Sequence, residues 1–203
     1  MLLRSVVGLA VAAGLILFAA PSSRADPNWD PEGRFTGGAP NNKLGNWGIF
    51  GIGGSGGPVA RQTVSFAGKH APGTIIISTS ERRLYYVLGD GRAIRYGIGV
   101  GRIGFQWSGV KQVSAKREWP AWTPPPQMLR RRPDLPRHMV GGPENPLGAR
   151  AMYLGSTLYR IHGSNEPETI GEAVSSGCFR LTNEDVVDLY NRVRVGTKVI
   201  IQR

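Results

Sequence analysis

Cysteine is almost missing from this 203-residue chain, which has one, Cys178. A lone cysteine excludes an intramolecular disulfide. It leaves an intermolecular partner, a reactive thiol, or a small buried hydrophobe. Histidine is nearly as scarce: His70, His138 and His162 are the three present. Any chemistry that needs an imidazole therefore has few candidates. Acids are also few, 14 Asp and Glu against 25 Lys and Arg, for a net charge of +11. Beyond residue 20 no long apolar run occurs, so no later segment reads as a membrane span. No internal repeat is evident. What is present suffices for a core, since 40% of residues are apolar and five are Trp, which argues against wholesale disorder.

The N-terminus reads as an export signal. Arg4 supplies a positive start, residues 5–20 are uncharged and apolar or small, and Ser23-Arg24-Ala25 places small residues where a signal peptidase inspects them. The expected cleavage after Ala25 leaves no stable membrane span, and the absence of a nearby Cys argues against a lipoprotein. Losing residues 1–25 removes Arg4 and Arg24 but no acid, so the net charge falls from +11 to +9. A basic protein attracts polyanions. An exported chain in the periplasm or cell envelope meets little nucleic acid, so no nucleic-acid partner is expected. Anionic wall peptides and lipid head groups are the polyanions at hand, and plain solubility explains the charge equally well.

Residues 26–72 read as a Gly- and Asn-rich flexible tether. Ten of the 25 residues between 33 and 57 are Gly, a composition that loses too much backbone entropy to fold alone. Trp29, Trp47, Ile49 and Phe50 are apolar for a linker; docking on the domain and contact with the wall both fit. From Gly73 the texture changes. Residues 74–79, 83–88, 93–100, 110–115, 150–154 and 157–161 are strand candidates, with Gly89-Asp90-Gly91 as a hairpin signal. Pro-rich stretches at 120–126 and 133–146 interrupt regular structure. One helix is well signalled. Thr182-Asn183-Glu184-Asp185 resembles a capping box, and Val186, Leu189, Tyr190 and Val193 follow on one face. Residues 198–201 form a closing strand, and a short helix starts at Pro167. The expected fold is a mostly-β domain over 73–203.

The chemistry concentrates in two stretches, Tyr159-Arg160-Ile161-His162-Gly163-Ser164 and Ser175-Ser176-Gly177-Cys178-Phe179-Arg180-Leu181-Thr182-Asn183. A thiol attacks an acyl carbon as its thiolate, and a nearby imidazole takes the proton. His162 ends an apolar strand, and Cys178 follows a Ser-Ser-Gly turn just before the helix cap. Such a turn points backbone N–H groups at one spot, where they hold a developing oxyanion. Arg180 adds positive charge that favours a thiolate or holds a substrate carboxylate. By itself, a His and a Cys 16 residues apart is weak evidence.

Over about 73–202 the sequence resembles the L,D-transpeptidase (YkuD-type) catalytic domain. That family shows His-Gly, then Ser-His-Gly-Cys with an apolar residue, often Arg, and Asn beyond. Here His162-Gly163, Ser175-Ser176-Gly177-Cys178-Phe179-Arg180 and Asn183 stand in that order. Gly73-Thr74-Ile75, Glu118-Trp119-Pro120, the Pro-Pro segment at 124–126, and residues 141–143 and 148–151 extend the match. The resemblance implies a β-sandwich or barrel-like domain with a few short helices, without cofactor or metal. It implies Cys178 as nucleophile, His162 as base then acid, and backbone N–H groups around Ser176, Gly177 and Cys178 as oxyanion donors. The donor would be a peptidoglycan stem tetrapeptide that loses its terminal D-Ala to form a thioester. A second stem amine would then complete a 3→3 cross-link, while water or the N-terminus of an outer-membrane protein are other acceptors. Arg180, Asn183 and Tyr159 are candidate substrate contacts; for Asn183 a helix-start role, and for Tyr159 a core role, weigh against this. Trp119 and Trp122 fit either a lid or a plug at the domain edge, and Arg130-Arg131-Arg132 either a wall contact or a solvated loop. One departure stands out: Ser176 occupies the usual place of a second His, which retunes the site if that His is only supportive. A sortase-like ligase would separate His and Cys further and place a Thr-containing strand end before the Cys. A non-catalytic wall-binding module would not need the intact His162, Gly177, Cys178 and Arg180.

Overall fold

In a computed structural model, residues 59–203 are described, so the expected export signal and most of the expected tether lie outside them. In chain order the elements are β1 (Gln62–Ser65), β2 (Ile75–Ser78), β3 (Arg83–Gly89), β4 (Arg92–Gly97), β5 (Val100–Gly101) and β6 (Gly109–Glu118). Then come α1 (Pro126–Arg131), β7 (Arg150–Leu154), β8 (Arg160–His162), a 3-10 turn (Pro167–Thr169), β9 (Ala173–Ser175), β10 (Phe179–Arg180), α2 (Asn183–Arg192) and β11 (Lys198–Gln202). Nine strands join in the order β1-β4-β3-β2-β11-β6-β7-β8-β10, and β5 pairs with β9. The fold is mostly β, as the sequence predicts.

The centre of the sheet follows from a β-branched run. Ile75, Ile76 and Ile77 of β2 are all buried, between β3 on one side and β11 on the other. The β3–β4 hairpin turns at Asp90 and Gly91, whose φ values of 51° and 67° are the paired positive angles of a tight hairpin turn. Strand β6 carries the sheet around a corner. Its first part pairs with β11 and its second with β7, and the register shifts between Val113 and Ala115. A bulge of this kind bends a strand and re-aims the residues beyond it.

Helix α2 closes the core. Thr182 Oγ1 accepts from the Asp185 N–H at 3.1 Å, as the capping pattern anticipates. Val186, Leu189 and Val193 are buried on its inner face. Tyr96 of β4 donates to Asp188 Oδ2 at 2.6 Å and ties the helix to the sheet.

Two expectations need correction. The tether ends earlier than residue 72: Gln62–Ser65 pairs antiparallel with β4, and Arg61 reaches Asp185 at 3.1 Å. The Gly-rich composition upstream concealed this short edge strand. The strand expected over 157–161 is confined to Arg160–His162, because Thr157 closes a turn onto the Leu154 carbonyl. The Pro-rich stretches do interrupt regular structure, as expected, and between them lies α1, with Pro126 in the first turn, where a missing N–H costs nothing.

Residues 119–149 form a roof over one end of the domain. Trp122, Met128, Leu135 and Leu147 make a second, small apolar cluster there. Trp122 and Met139 exchange backbone hydrogen bonds at 2.8 Å. Buried Asn145 knits the loop by donating to the Pro120 and Val140 carbonyls and accepting from Leu147 N–H. Trp122 thus plugs this cluster, while Trp119 is 41% exposed.

Candidate active site

Strands β8 and β10 run parallel, with Ile161 opposite Phe179 and His162 opposite Arg180. Continuing that register sets Cys178, just before β10, beside Arg160. Residues two apart on a strand share a face, so Arg160, His162, Cys178 and Arg180 point the same way. All four line one cleft of about 510 Å³ including its open mouth, together with Ser175 and Ser176. The roof supplies the opposite wall through Trp122, Pro125, Met128 and Leu147.

His162 is 4% exposed. Its Nδ1 lies 2.6 Å from the Gly163 carbonyl, which can only accept. Nδ1 therefore carries the proton and Nε2 keeps the lone pair a general base needs. Burial pushes the imidazole down from 6.5 to about 3, and Arg180 adds to the shift; the Gly163 hydrogen bond opposes it. Cys178 is half-buried, and its Sγ lies 3.8 Å from the Leu158 carbonyl. Burial raises the thiol above its ordinary value, while Arg160, through charge and hydrogen bonding, pulls it back. The resting pair is thus a neutral thiol and a neutral imidazole. His138 bonds Thr123 instead, and neither it nor His70 lines the cleft.

The nucleophile turn is clamped by residues to which the sequence alone assigns no role. Ser175 Oγ donates to the Cys178 carbonyl at 2.6 Å and accepts from Gly177 N–H at 3.2 Å. Trp107 Nε1 donates to the Gly177 carbonyl at 2.8 Å. Gly177 has φ 101°, and a Cβ there would press on the Tyr159 ring. Ser175 thus engages the N–H of Gly177, one of the expected oxyanion donors, and shapes the turn through it. Ser176 is 7% exposed, lines the cleft, and has a buried hydroxyl without a hydrogen-bond partner.

The three expected substrate contacts are placed elsewhere or engaged by protein. Tyr159 stacks on Trp107, with centroids 4.4 Å apart, behind the turn and outside the cleft lining. Asn183 Oδ1 accepts from Ala149 N–H at 2.8 Å, and a Cβ on Gly148 or Gly163 would collide with it. It therefore ties the start of β7 and packs closely against Gly163, next to His162. Arg180 lines the cleft, but its guanidinium is paired at 3.0 Å with Glu166, and both side chains are largely buried. No spacing rule points to Glu166 or Trp107, because each reaches the site through tertiary packing. Arg160 was legible from strand alternation with His162, the one signal that could have found it.

Comparison with known proteins bears on this arrangement. The family model "L,D-transpeptidase catalytic domain" (YkuD) matches residues 72–201. The Escherichia coli K12 protein "Probable L,D-transpeptidase ErfK/SrfK" is 41% identical over 136 residues, which is 63% of this chain and 43% of that protein. The chain thus spans less than half the length of that curated relative. A crystal structure of L,D-transpeptidase 3 from Mycobacterium tuberculosis covers 64% of this chain and 60% of its own at 20% identity and a TM-score of 0.51, a likeness of fold. A Brucella melitensis crystal structure named "Probable carnitine operon oxidoreductase caia" is 48% identical and covers 71% of this chain and 94% of its own. Its TM-score is 0.49. On the strength of the family model, which matches well over half its length, this chain belongs to the L,D-transpeptidase catalytic-domain family.

Proposed function

We propose that this chain is exported to the periplasm or cell envelope and joins peptidoglycan stems through a Cys178 thioester. The observation that carries the reading is the neutral pair of Cys178 and His162 in one cleft, with the His162 tautomer fixed by Gly163. Cys178 Sγ attacks the carbonyl before the terminal D-Ala as its proton passes to His162 Nε2. The N–H groups of Ser176 and Cys178 hold the oxyanion. The tetrahedral intermediate collapses, the carbon–nitrogen bond breaks, and His162 returns the proton to the departing D-Ala amine. The amine of a second stem then attacks the thioester, His162 takes its proton, and Cys178 leaves as thiolate to be reprotonated. The product is a 3→3 cross-link.

The test is muropeptide analysis of purified cell wall incubated with the protein. New 3→3 dimers and free D-Ala are expected, both lost with Cys178→Ala. Release of D-Ala without dimers would replace the amine acceptor with water. Absence of both products would overturn the reading.

A further inference from the structure

The two cleft arginines are not equivalent. Arg180 is ion-paired with Glu166 at 3.0 Å. Arg160 makes no ion pair among the described residues. Its Nη1 donates to the Leu158 carbonyl at 3.2 Å, its guanidinium lies over the Tyr153 ring at 5.1 Å, and its Nε is buried without a partner. The described residues lining the cleft include no Asp or Glu. A second unmet polar atom, Ser176 Oγ, lines the same cleft. The cleft thus offers one cation without a counter-ion and one hydroxyl donor, both in the lining that includes Cys178. A buried N–H left unmet is costly, and a carboxylate is the ligand that matches the geometry of a guanidinium.

We propose that Arg160 is a specificity-determining residue that binds a free carboxylate of the acyl donor, assisted by the Ser176 hydroxyl. This rests on the acyl-transfer reading above and adds the donor's charge requirement to it. The register that sets Arg160 beside Cys178 places the recognised carboxylate within about one residue of the scissile carbonyl. Two carboxylates of a stem tetrapeptide meet that condition: the C-terminus of the leaving D-Ala and the side-chain carboxyl of the diaminopimelate before it.

The experiment uses the full chain and three donor tetrapeptides ending in diaminopimelate–D-Ala: the free acid, the C-terminal carboxamide, and the diaminopimelate side-chain carboxamide. Acylation is followed by intact mass, and each amide is compared with the free acid as a ratio within one protein. A change in thiol reactivity cancels in that ratio, so a merely structural role for Arg160 would not move it. The unaltered protein should prefer the free acid over one amide by about tenfold or more, the range of a charge-assisted hydrogen bond. Arg160→Gln should bring that ratio to about one, and Arg160→Lys should restore part of it. The amide that shows the discrimination identifies which carboxylate is held. Acylation of the unaltered protein without discrimination against either amide, or discrimination that survives Arg160→Gln, would overturn the assignment while leaving the acyl-transfer reading intact. No acylation by any donor would overturn that reading, and this inference with it.

Discussion

Strand β2 and the roof over residues 119–149 bury apolar groups by different means. In β2, Ile75, Ile76 and Ile77 are covered by neighbouring strands and belong to a sheet that also packs α2. The roof has only the cluster of Trp122, Met128, Leu135 and Leu147, one six-residue helix and the hydrogen bonds of Asn145. His162 ends the scaffold strand β8 and Cys178 directly precedes β10, but the roof forms the facing wall of their cleft. The candidate pair is therefore anchored to the region with the larger apolar core, and the mouth of its cleft to the region with the smaller one.

The largest expected effect breaks the scaffold. Leu189 is fully buried, so Leu189→Ala should cost about 2–5 kcal/mol of global stability in denaturant melts. Leu135→Ala in the roof should cost less in the same melt and instead raise KM for the donor. Equal losses with no change in KM would show that roof and scaffold unfold as one unit.

Within the scaffold, His162→Ala should slow acylation by roughly 100-fold or more, the usual loss for a positioned proton-transfer group. His138→Ala should leave the rate alone. Since the folded imidazole is held down at about 3, it stays neutral as the pH falls from 8 to 5. The acylation rate should accordingly show no imidazole step near 6.5. Such a step would mean that His162 is solvated in the working enzyme.

Much of the scaffold was legible because its signals are local. Ile75 to Ile77, the Asp90-Gly91 turn and the Thr182 cap each announce their conformation within a few residues. The roof was not, because its order comes from contacts such as Trp122 with Met139 and Asn145 with Pro120. In the site, His162 and Cys178 were singled out by residue type, motif and resemblance, and the structure brings both to one cleft. The partners of Tyr159, Asn183 and Arg180 were not legible, because Trp107, Ala149 and Glu166 reach them through tertiary structure.

The end of the tether sharpens the comparison further. Arg61 pairs with Asp185, whose carboxyl burial raises to about 6. The folded state thus holds the Asp185 proton more tightly than the unfolded state does, so this group's contribution favours folding at low pH and is lost as pH rises through about 6. Arg61→Ala removes the charge that opposes the shift and raises the folded value further. Its destabilisation should be smaller near pH 4, where the pair with Asp188 persists, and full at pH 8, read as the difference in Tm from the unaltered chain. A loss independent of pH would mean that Arg61 acts through Asp188 or packing and not through Asp185.

The smallest expected effect concerns Ser176. Ser176→Ala removes one hydroxyl but keeps the backbone N–H assigned to the oxyanion, so acylation should fall by less than tenfold, about 1 kcal/mol. A loss of three orders of magnitude would make the hydroxyl itself a catalytic group.

The central claim is that Cys178 is the acyl-accepting nucleophile. It is tested most directly by the intact mass of the protein after incubation with a carbapenem, whose strained ring is a ready acyl donor. The account predicts one added drug mass on the unaltered protein and none on Cys178→Ala. An adduct that persists in Cys178→Ala would contradict it.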